Sequence, residues 1–552
     1  MVNLHRNKEQ IIEEYNRWMK NVKGDMLKEL EAMDEEEIIN SFYRDLEFGT
    51  GGMRGLMGIG TNRINNYLIS KATIGFANWL KKVNKNNDLS VAIAFDTRNN
   101  SKEFAKIASE VLSGKGIKSY VFSTPAPTPL LSFAVRDLNC SGGIVITASH
   151  NPSEYNGYKV YTSDGTQAVP KIASEIIAEI EKIDYFEGYE KKDELINIVP
   201  EETEKRFKKY IVDLMKGLNP DPEPVNVLYS PLHGTGYPYV PDVLKELGHN
   251  VSVVEEQTSP DGNFPTLNYP NPEDEEAFSL ALKKATEIKP DIIITTDPDG
   301  DRMGIMCPVN DEYVRLTGNE TGVLMLYYLI EKGLSNEDYY IVKTIVTTDL
   351  AEKLAQKNNI ELKETLTGFK FIGELIEKNE KEGKAKFLFG FEESFGYLYG
   401  THVRDKDAVV ATSLAVTMIS HIKNQGENIQ DRLETIYKKY GYYGNRLLSF
   451  SYEGYEGSKK IQRIMKSLRE DIKRTSEDIK LIEKLDYLEG VKGLPKSNAV
   501  ELHYENDIKL IARPSGTEPK IKFYLMVKAS SKEEKRQKLD TLEKIVKEQI
   551  NR

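Results

Sequence analysis

Short, wholly apolar runs alternate with longer stretches of helical period through most of this chain. Val91-Ala92-Ile93-Ala94-Phe95 precedes helical spacing over 101–113, then a run around Tyr120-Val121-Phe122 and a helical stretch over 129–136. A short apolar run between turn signals reads as a buried strand, and apolar positions three and four apart read as one helix face. The rhythm returns with strands at 225–229 and 250–254 around a helix near 236–247. It returns again with Tyr339-Tyr340-Ile341-Val342, a helix at 347–357, a strand near 361–365 and a helix at 370–380. The end of the chain differs: charged, helix-rich sequence over 456–487, strands near 498–503, 507–512 and 521–527, and a last helix at 531–549. The pattern predicts three consecutive α/β domains with mixed sheets, followed by a smaller α+β domain. Their expected limits are 1–205, 206–312, 313–443 and 444–552. Linkers are expected at Tyr189–Glu194, at the Val309–Glu312 turn and at Tyr440–Gly444. The Pro-, Gly- and Asn-rich stretch from Ser259 to Pro272 is expected to be an extended loop.

Length and composition fit several packed cores, with 552 residues and 39% hydrophobic content. A formal charge of −11 argues against nucleic acid or an anionic membrane as the main partner, so an anionic ligand would need a local basic pocket. The first residues carry no apolar signal core, and no run approaches the length of a membrane span, which reads as cytoplasmic. Cys140 and Cys307 lie far apart without metal-ligand spacing and read as core thiols.

The most specific chemistry is Asp297-Pro298-Asp299-Gly300-Asp301-Arg302, which follows the apolar run 291–294. Open α/β sheets bind ligands beyond the C-terminal ends of such strands. Three carboxylates in one tight turn need a cation, and an all-oxygen set suits Mg²⁺. A solvated acidic turn is the plain alternative. An EF-hand fails, because the sixth position is Arg302 and the twelfth is Pro308. Ser149, in Thr147-Ala148-Ser149-His150-Asn151-Pro152, lies past another apolar run. Alone it reads as a turn or helix cap, but beside the Asp loop a phosphorylated Ser149 would add an oxygen ligand to the same metal. Lys159 could take the hydroxyl proton or neutralise phosphate, or simply be a surface lysine. Arg513-Pro514-Ser515-Gly516-Thr517 combines a guanidinium fork, two hydroxyls and close backbone N–H groups, which suits a phosphate cradle or a decorated turn. Glu392 and Ser394 could meet sugar hydroxyls, with a further contact from Thr367-Gly368-Phe369-Lys370. No Walker A pattern occurs.

Taken in order, Gly49–Gly55, Asp96-Thr97-Arg98, Thr147–Pro152, Asp297–Arg302, Gly390–Gly396 and Arg513–Pro519 resemble the motifs of the α-D-phosphohexomutase superfamily, the phosphoglucomutases and phosphomannomutases. The resemblance covers nearly the whole chain and implies four domains around a central cleft, each contributing one loop. It implies that Ser149 is the phosphoserine and that Asp297, Asp299 and Asp301, with Ser149, hold Mg²⁺. Arg54, His150, Lys159 and Arg302 match active-site positions, and Lys406 resembles an acid/base lysine. Glu392 and Ser394 match sugar contacts, and Arg513, Ser515, Gly516 and Thr517 match the phosphate loop. Some bifunctional members read G-E-x-S-G-H in the sugar loop, whereas here Phe395 follows Ser394 and Tyr397 stands near the place of that His. Segments 230–236 and 403–408 resemble a subgroup that includes bacterial α-phosphoglucomutases and animal phosphopentomutases. The resemblance therefore implies a mutase of glucose 1- and 6-phosphates working through glucose 1,6-bisphosphate, with mannose and pentose phosphates as alternatives. A phosphohydrolase using the same serine and metal, or a non-catalytic phosphosugar-binding protein, would be a different class. The expected partner is a small sugar phosphate, with neither nucleic acid nor membrane.

Overall fold

Strands that carry the candidate loops are buried along most or all of their length, so their position depends on what packs over both faces. The computed structural model describes residues 6–49, 52–85, 88–452, 454–470, 479–515 and 520–550. The first sheet contains β1 (Gly52–Leu56), β2 (Ser90–Phe95), β3 (Lys118–Val121), β4 (Gly142–Ile146), β5 (Tyr155–Thr162) and β6 (Ile196–Ile198), in the spatial order β1-β5-β4-β2-β3-β6. The second is β11-β10-β9-β7-β8, from β7 (Asn226–Ser230), β8 (Asn250–Val253), β9 (Ile292–Thr296), β10 (Met303–Val309) and β11 (Glu312–Arg315). The third is β13-β12-β14-β15, from β12 (Tyr339–Thr344), β13 (Glu361–Thr365), β14 (Lys386–Glu392) and β15 (Gly396–Tyr399). All three mix parallel and antiparallel pairs. The fourth, β16-β20-β19-β18-β17, is wholly antiparallel and holds β16 (Tyr442–Ser451), β17 (Leu481–Asp486), β18 (Val500–Tyr504), β19 (Ile508–Pro514) and β20 (Lys520–Ala529).

One topological position recurs. In each mixed sheet a buried strand has a parallel neighbour on one side and, on the other, the antiparallel strand that follows it in the chain: β4 with β5, β9 with β10, β14 with β15. The turns of these hairpins are the Ser149, Asp297–Arg302 and Glu393–Phe395 segments. Ser515 follows β19 directly, and β20 begins at Lys520.

The first three units share a continuous apolar core. It runs from Val145 and Tyr161 through Phe207 and Ile211 to Tyr340 and Phe389, with the helix Ala408–Asn424 inside it. The fourth unit has its own core and meets the third through a small cluster that includes Ile345, Val346, Tyr487 and Ile511. Ahead of β1, the helix Lys8–Asn21 presents Ile11 and fully buried Trp18, seven residues apart on one face, and Trp18 packs on Phe42, Tyr67 and Tyr185. Cys140 and Cys307 are buried free thiols, and no helix among the described residues is long and apolar enough to cross a membrane.

Several expected limits fall inside elements. Position 205 lies within the helix Glu201–Leu218, 312 begins β11, and 443 lies in β16. The expected linker 189–194 leads into β6, a strand of the first sheet, and 309–312 is the β10–β11 hairpin turn. Within the charged stretch 456–487 the helix ends at Glu470, and Leu481–Asp486 forms the edge strand β17. Four of its six residues are polar or exposed, which hides an edge strand from a periodicity argument.

Gly157 lies on β5 between β1 and the first residue of the serine turn. A Cβ there would sit 2.5 Å from the Thr147 carbonyl and 2.6 Å from that of Met53. We expect Gly157→Ala to destabilise the first unit by about 1–3 kcal/mol. The chain has two tryptophans, Trp18 and Trp79, both in that unit, so the midpoint of the fluorescence melting curve measures it. An unchanged midpoint would show that β1 and β4 yield freely at this position.

Candidate active site

The β9–β10 turn brings three fully or nearly buried carboxylates together. Asp297, Asp299 and Asp301 each present an oxygen within 4.8 Å of the others. The turn is built to do this: Asp297 Oδ1 accepts from the backbone N–H groups of Asp301 and Arg302 at 3.0 and 2.9 Å, and Gly300 takes φ +64°. Thr128 closes over it, its N–H donating to the Asp299 carbonyl at 2.8 Å and its hydroxyl to Asp299 Oδ2 at 3.1 Å. Oδ1 of Asp299 and Oδ1 of Asp301 are buried without a hydrogen-bond partner. Buried carboxylate oxygens left open at this spacing fit a divalent cation of oxygen preference.

Serine 149 faces this cluster. Its Oγ–H donates to Asp297 Oδ2 at 2.9 Å and lies 3.1 Å from His150 Nδ1, and the side chain is almost wholly enclosed. The residue adopts φ +53°, a left-handed conformation that disfavours any residue but glycine by about 1–2 kcal/mol. Arg98 holds the turn in that shape. Its guanidinium donates to the carbonyls of Ser149 (2.5 Å), Pro152 (2.7 Å) and Tyr155 (3.2 Å) and to that of Asn151, while Asp96 pairs with its Nε at 3.2 Å. Both charged side chains are fully buried. Arg54, on β1, donates to Asn151 Oδ1 at 2.8 Å.

Cations from two units surround the carboxylates. Lys159, on β5, reaches Asp299 Oδ2 at 3.0 Å, and Lys406, just before the helix Ala408–Asn424, reaches Asp301 Oδ2 at 3.0 Å. Burial, then mutual repulsion among the three, pushes the Asp297 and Asp301 carboxyls upward. Burial acts on Asp299 in the same sense, but the Lys159 ammonium, a hydrogen bond with Asp297 and the charge of Lys406 together outweigh it and hold that carboxyl low. Burial, with the cations of Arg302 and Arg54, keeps His150 well below the usual imidazole range, so it is neutral at pH 7. For Lys406, Asp301 and Asp405 outweigh burial and hold the ammonium up.

The turns also touch one another. The backbone N–H of Met303 donates to the Phe395 carbonyl at 3.1 Å, and that of Ala408 to the Gly300 carbonyl at 3.2 Å. Glu392 Oε1 accepts from Gly368 N–H at 2.8 Å, which joins the β14 end to the start of the helix Phe369–Glu382. Burial and the nearby Arg513 bring the Lys370 ammonium down to about 8, and burial beside Glu392 lifts Glu393 to about 7. Thr367 and Ser394 are half-buried, and their hydroxyls make no hydrogen bond among the described residues. Ser515 N–H donates to the Lys520 carbonyl at 2.8 Å, whereas Gly516 and Thr517 lie outside the described residues.

Some participants were not legible beforehand. Arg98 stood out only as part of Asp96-Thr97-Arg98, although a charge just after a fully apolar strand is a usable signal. Tyr161 and Asp405 gave none: Tyr161 O–H donates to Asp405 Oδ2 at 2.7 Å, and Asp405 in turn accepts from Lys406 Nζ at 3.3 Å.

Comparison with known proteins follows the same order along the chain. The descriptions phosphoglucomutase/phosphomannomutase alpha/beta/alpha domain I, II and III match residues 45–187, 205–310 and 317–440. The chain is 38% identical over 516 residues to a phosphoglucomutase of Staphylococcus haemolyticus, covering 89% of this chain and 92% of that one. With a phosphoglucomutase of Staphylococcus saprophyticus the identity is 37% over 541 residues, covering 94% and 97%. Among solved structures, the phosphoglucomutase parafusin of Paramecium, in an open form, is similar with a TM-score of 0.69 at 21% identity, over 92% of this chain and 95% of that one. A phosphoglucomutase/phosphomannomutase family protein of Burkholderia thailandensis gives 0.68 at 17%, over 91% and 97%. These two likenesses concern the fold alone.

Calorimetric titration with Mg²⁺ or Mn²⁺ is expected to show one divalent site, and Asp299→Asn to weaken it by more than the roughly 10–100-fold that loss of an outer-shell partner costs. An isotherm unchanged by the substitution would remove the aspartates from the ligand set.

Proposed function

The chain belongs to the phosphoglucomutase/phosphomannomutase family, and we propose that it interconverts α-D-glucose 1-phosphate and glucose 6-phosphate through phosphorylated Ser149 and a glucose 1,6-bisphosphate intermediate. The relatives named phosphoglucomutase, at 37–38% identity over most of the chain, make it a phosphohexomutase, an intramolecular phosphotransferase. One observation carries the residue assignment: Ser149 Oγ lies 2.9 Å from Asp297 Oδ2, at the mouth of three buried carboxylates.

In the first half-reaction the phosphorus–oxygen bond to Ser149 Oγ breaks and a bond to the free sugar hydroxyl forms. The sugar hydroxyl gives up one proton and Ser149 Oγ takes up one, so the half-reaction is neutral in protons. Lys406, held as an ammonium by Asp301 and Asp405, is the group we assign to this exchange, giving a proton in the step and regaining one from the sugar hydroxyl. The bisphosphate turns over within the cleft, its other phosphoryl group returns to Ser149 Oγ, and the released hydroxyl regains a proton. Asp297, Asp299, Asp301 and the Ser149 oxygen would hold Mg²⁺, which when bound offsets charge on the phosphoryl oxygens in transfer. Arg54, Arg302 and Lys159 add positive charge around the same group. Neutral His150 offers a ring nitrogen beside Ser149 Oγ without adding another charge. Glu392 and Ser394 would accept from and donate to sugar hydroxyls, with Thr367 and Gly368 beside them. Lys370, Arg513, Ser515, Gly516 and Thr517 would hold the distal phosphate. One distal site serves both half-reactions, because the bisphosphate presents either end.

Transfer between similar esters is nearly balanced in energy, so the barrier is the problem; phosphate monoester hydrolysis is accelerated by enzymes on the order of 10²¹-fold. Fixed cations and the exclusion of water act on that barrier directly. A cytoplasmic setting belongs to the same proposal.

Ser149→Ala is expected to lower kcat by at least about 10⁴-fold, on the scale of removing a nucleophile. Radiolabelled glucose 1,6-bisphosphate should label wild-type Ser149 and release little inorganic phosphate. Full turnover by the alanine variant would refute the phosphoserine, and stoichiometric phosphate release would point to a hydrolase. Side-by-side kcat/KM values for glucose, mannose and ribose phosphates decide the sugar.

A further inference from the structure

The stretch 259–274 supplies none of the groups assigned above, yet it is tied to the site at both ends. At its start, Gly262 approaches the first unit so closely that an added Cβ would sit 2.3 Å from the Asn99 backbone nitrogen. Asn99 Nδ2 donates to Asn263 Oδ1 at 2.9 Å, and the Phe264 ring lies 5.0 Å from the guanidinium carbon of Arg98, the residue that shapes the serine turn. In the middle, Thr266 Oγ1 is held by Gln257 Nε2 and His233 Nε2 at 2.9 and 3.0 Å. At its end, Glu273 Oε1 accepts from Arg302 Nη1 at 2.6 Å.

Glu273 is itself fixed from three sides. Its carbonyl accepts from Arg315 Nη1 at 2.7 Å, and its N–H donates to Asn271 Oδ1 at 3.1 Å. The preceding Pro272 packs against Gly304 on β10, where a Cβ would meet the Pro272 carbonyl at 2.9 Å. A carboxylate anchored in this way holds one edge of a guanidinium and leaves the other as a donor. Arg302 fits that description: its Nε–H is buried without a hydrogen-bond partner, and Asp301 Oδ1 lies 3.8 Å away, beyond hydrogen-bond reach.

We propose that Glu273 is the positioning residue for Arg302, aiming its free edge at the phosphoryl group on Ser149, and that loop 259–274 ties this aim to the serine turn through Phe264 and Arg98. The proposal rests on the mutase reading above. An arginine ordered in advance loses less freedom when the phosphoryl group arrives, and the benefit falls on the transfer step.

Glu273→Gln keeps the size of the side chain and removes its charge. With glucose 1-phosphate as substrate and glucose 1,6-bisphosphate as activator, we expect kcat to fall on the order of tenfold to a hundredfold. KM should change by less than about threefold, the pattern of an interaction used mainly in the transition state. Glu273→Asp should recover part of the loss, while Mg²⁺ affinity by calorimetry and the melting midpoint of Glu273→Gln match the wild type. Wild-type kcat in Glu273→Gln overturns the proposal, as does a loss accompanied by a lower melting midpoint or weaker Mg²⁺ binding. A wild-type enzyme inactive on glucose 1-phosphate removes the substrate reading instead. In that event the rate at which glucose 1,6-bisphosphate phosphorylates Ser149, followed by mass spectrometry, is expected to be slower in Glu273→Gln. Equal rates, or no phosphorylation of the wild type, overturn the positioning role as well.

Discussion

Repulsion among three buried carboxylates is the constraint that organises this molecule. Asp297, Asp299 and Asp301 lie within 4.8 Å of one another and out of water, an arrangement that is untenable without positive charge close by. The second unit, which carries them, supplies Arg302. Lys159 comes from the first unit and Lys406 from the third, so the electrostatic balance of one turn depends on three units being correctly assembled. The shared apolar core has the same dependence, since its side chains belong to all three. Fold and charge balance therefore stand or fall together.

The serine turn adds strain to this frame. A left-handed serine persists only where its surroundings over-determine it. Here Arg98 binds four backbone carbonyls of the turn and the residues after it, with Asp96 as buried counter-ion. The result is a hydroxyl that the fold itself aims at the carboxylates, which is the geometric meaning of preorganisation. Alternation along β5 serves the same end. Lys159 and Tyr161 are two residues apart and share a face, so one strand delivers both the cation for Asp299 and the hydroxyl that holds Asp405 beside Lys406.

The fourth unit is joined differently. Its contact with the third combines a small apolar cluster with a chain of charges: Lys343 binds Asp349 and Glu364, Asp349 binds Lys509, and Glu364 binds Lys492. Lys343 is completely buried, and its two carboxylate partners hold its ammonium up against the effect of burial. Polar, directional contacts of this kind specify one docking geometry more than they add stability.

The chain's pattern of apolar runs and helical spacings determined the three α/β units with mixed sheets and the smaller α+β tail, because burial of a whole strand demands contiguous apolar residues. The Asp297–Arg302 turn was legible because three carboxylates just past a buried strand call for a cation, whereas Thr147–Pro152 alone reads as a turn or cap and gained meaning only beside it. What remained hidden was long-range or polar. The edge strand β17 and the start of β16 lack the apolar signal, and Tyr161, Asp405 and Glu273 are ordinary residues until their partners are known. Local composition determines which strand ends in which turn. Only the packing of the first three units on their shared core decides that turns 148 residues apart meet at 2.9 Å, because that distance is set by side chains buried between units, not by any property of the turns themselves.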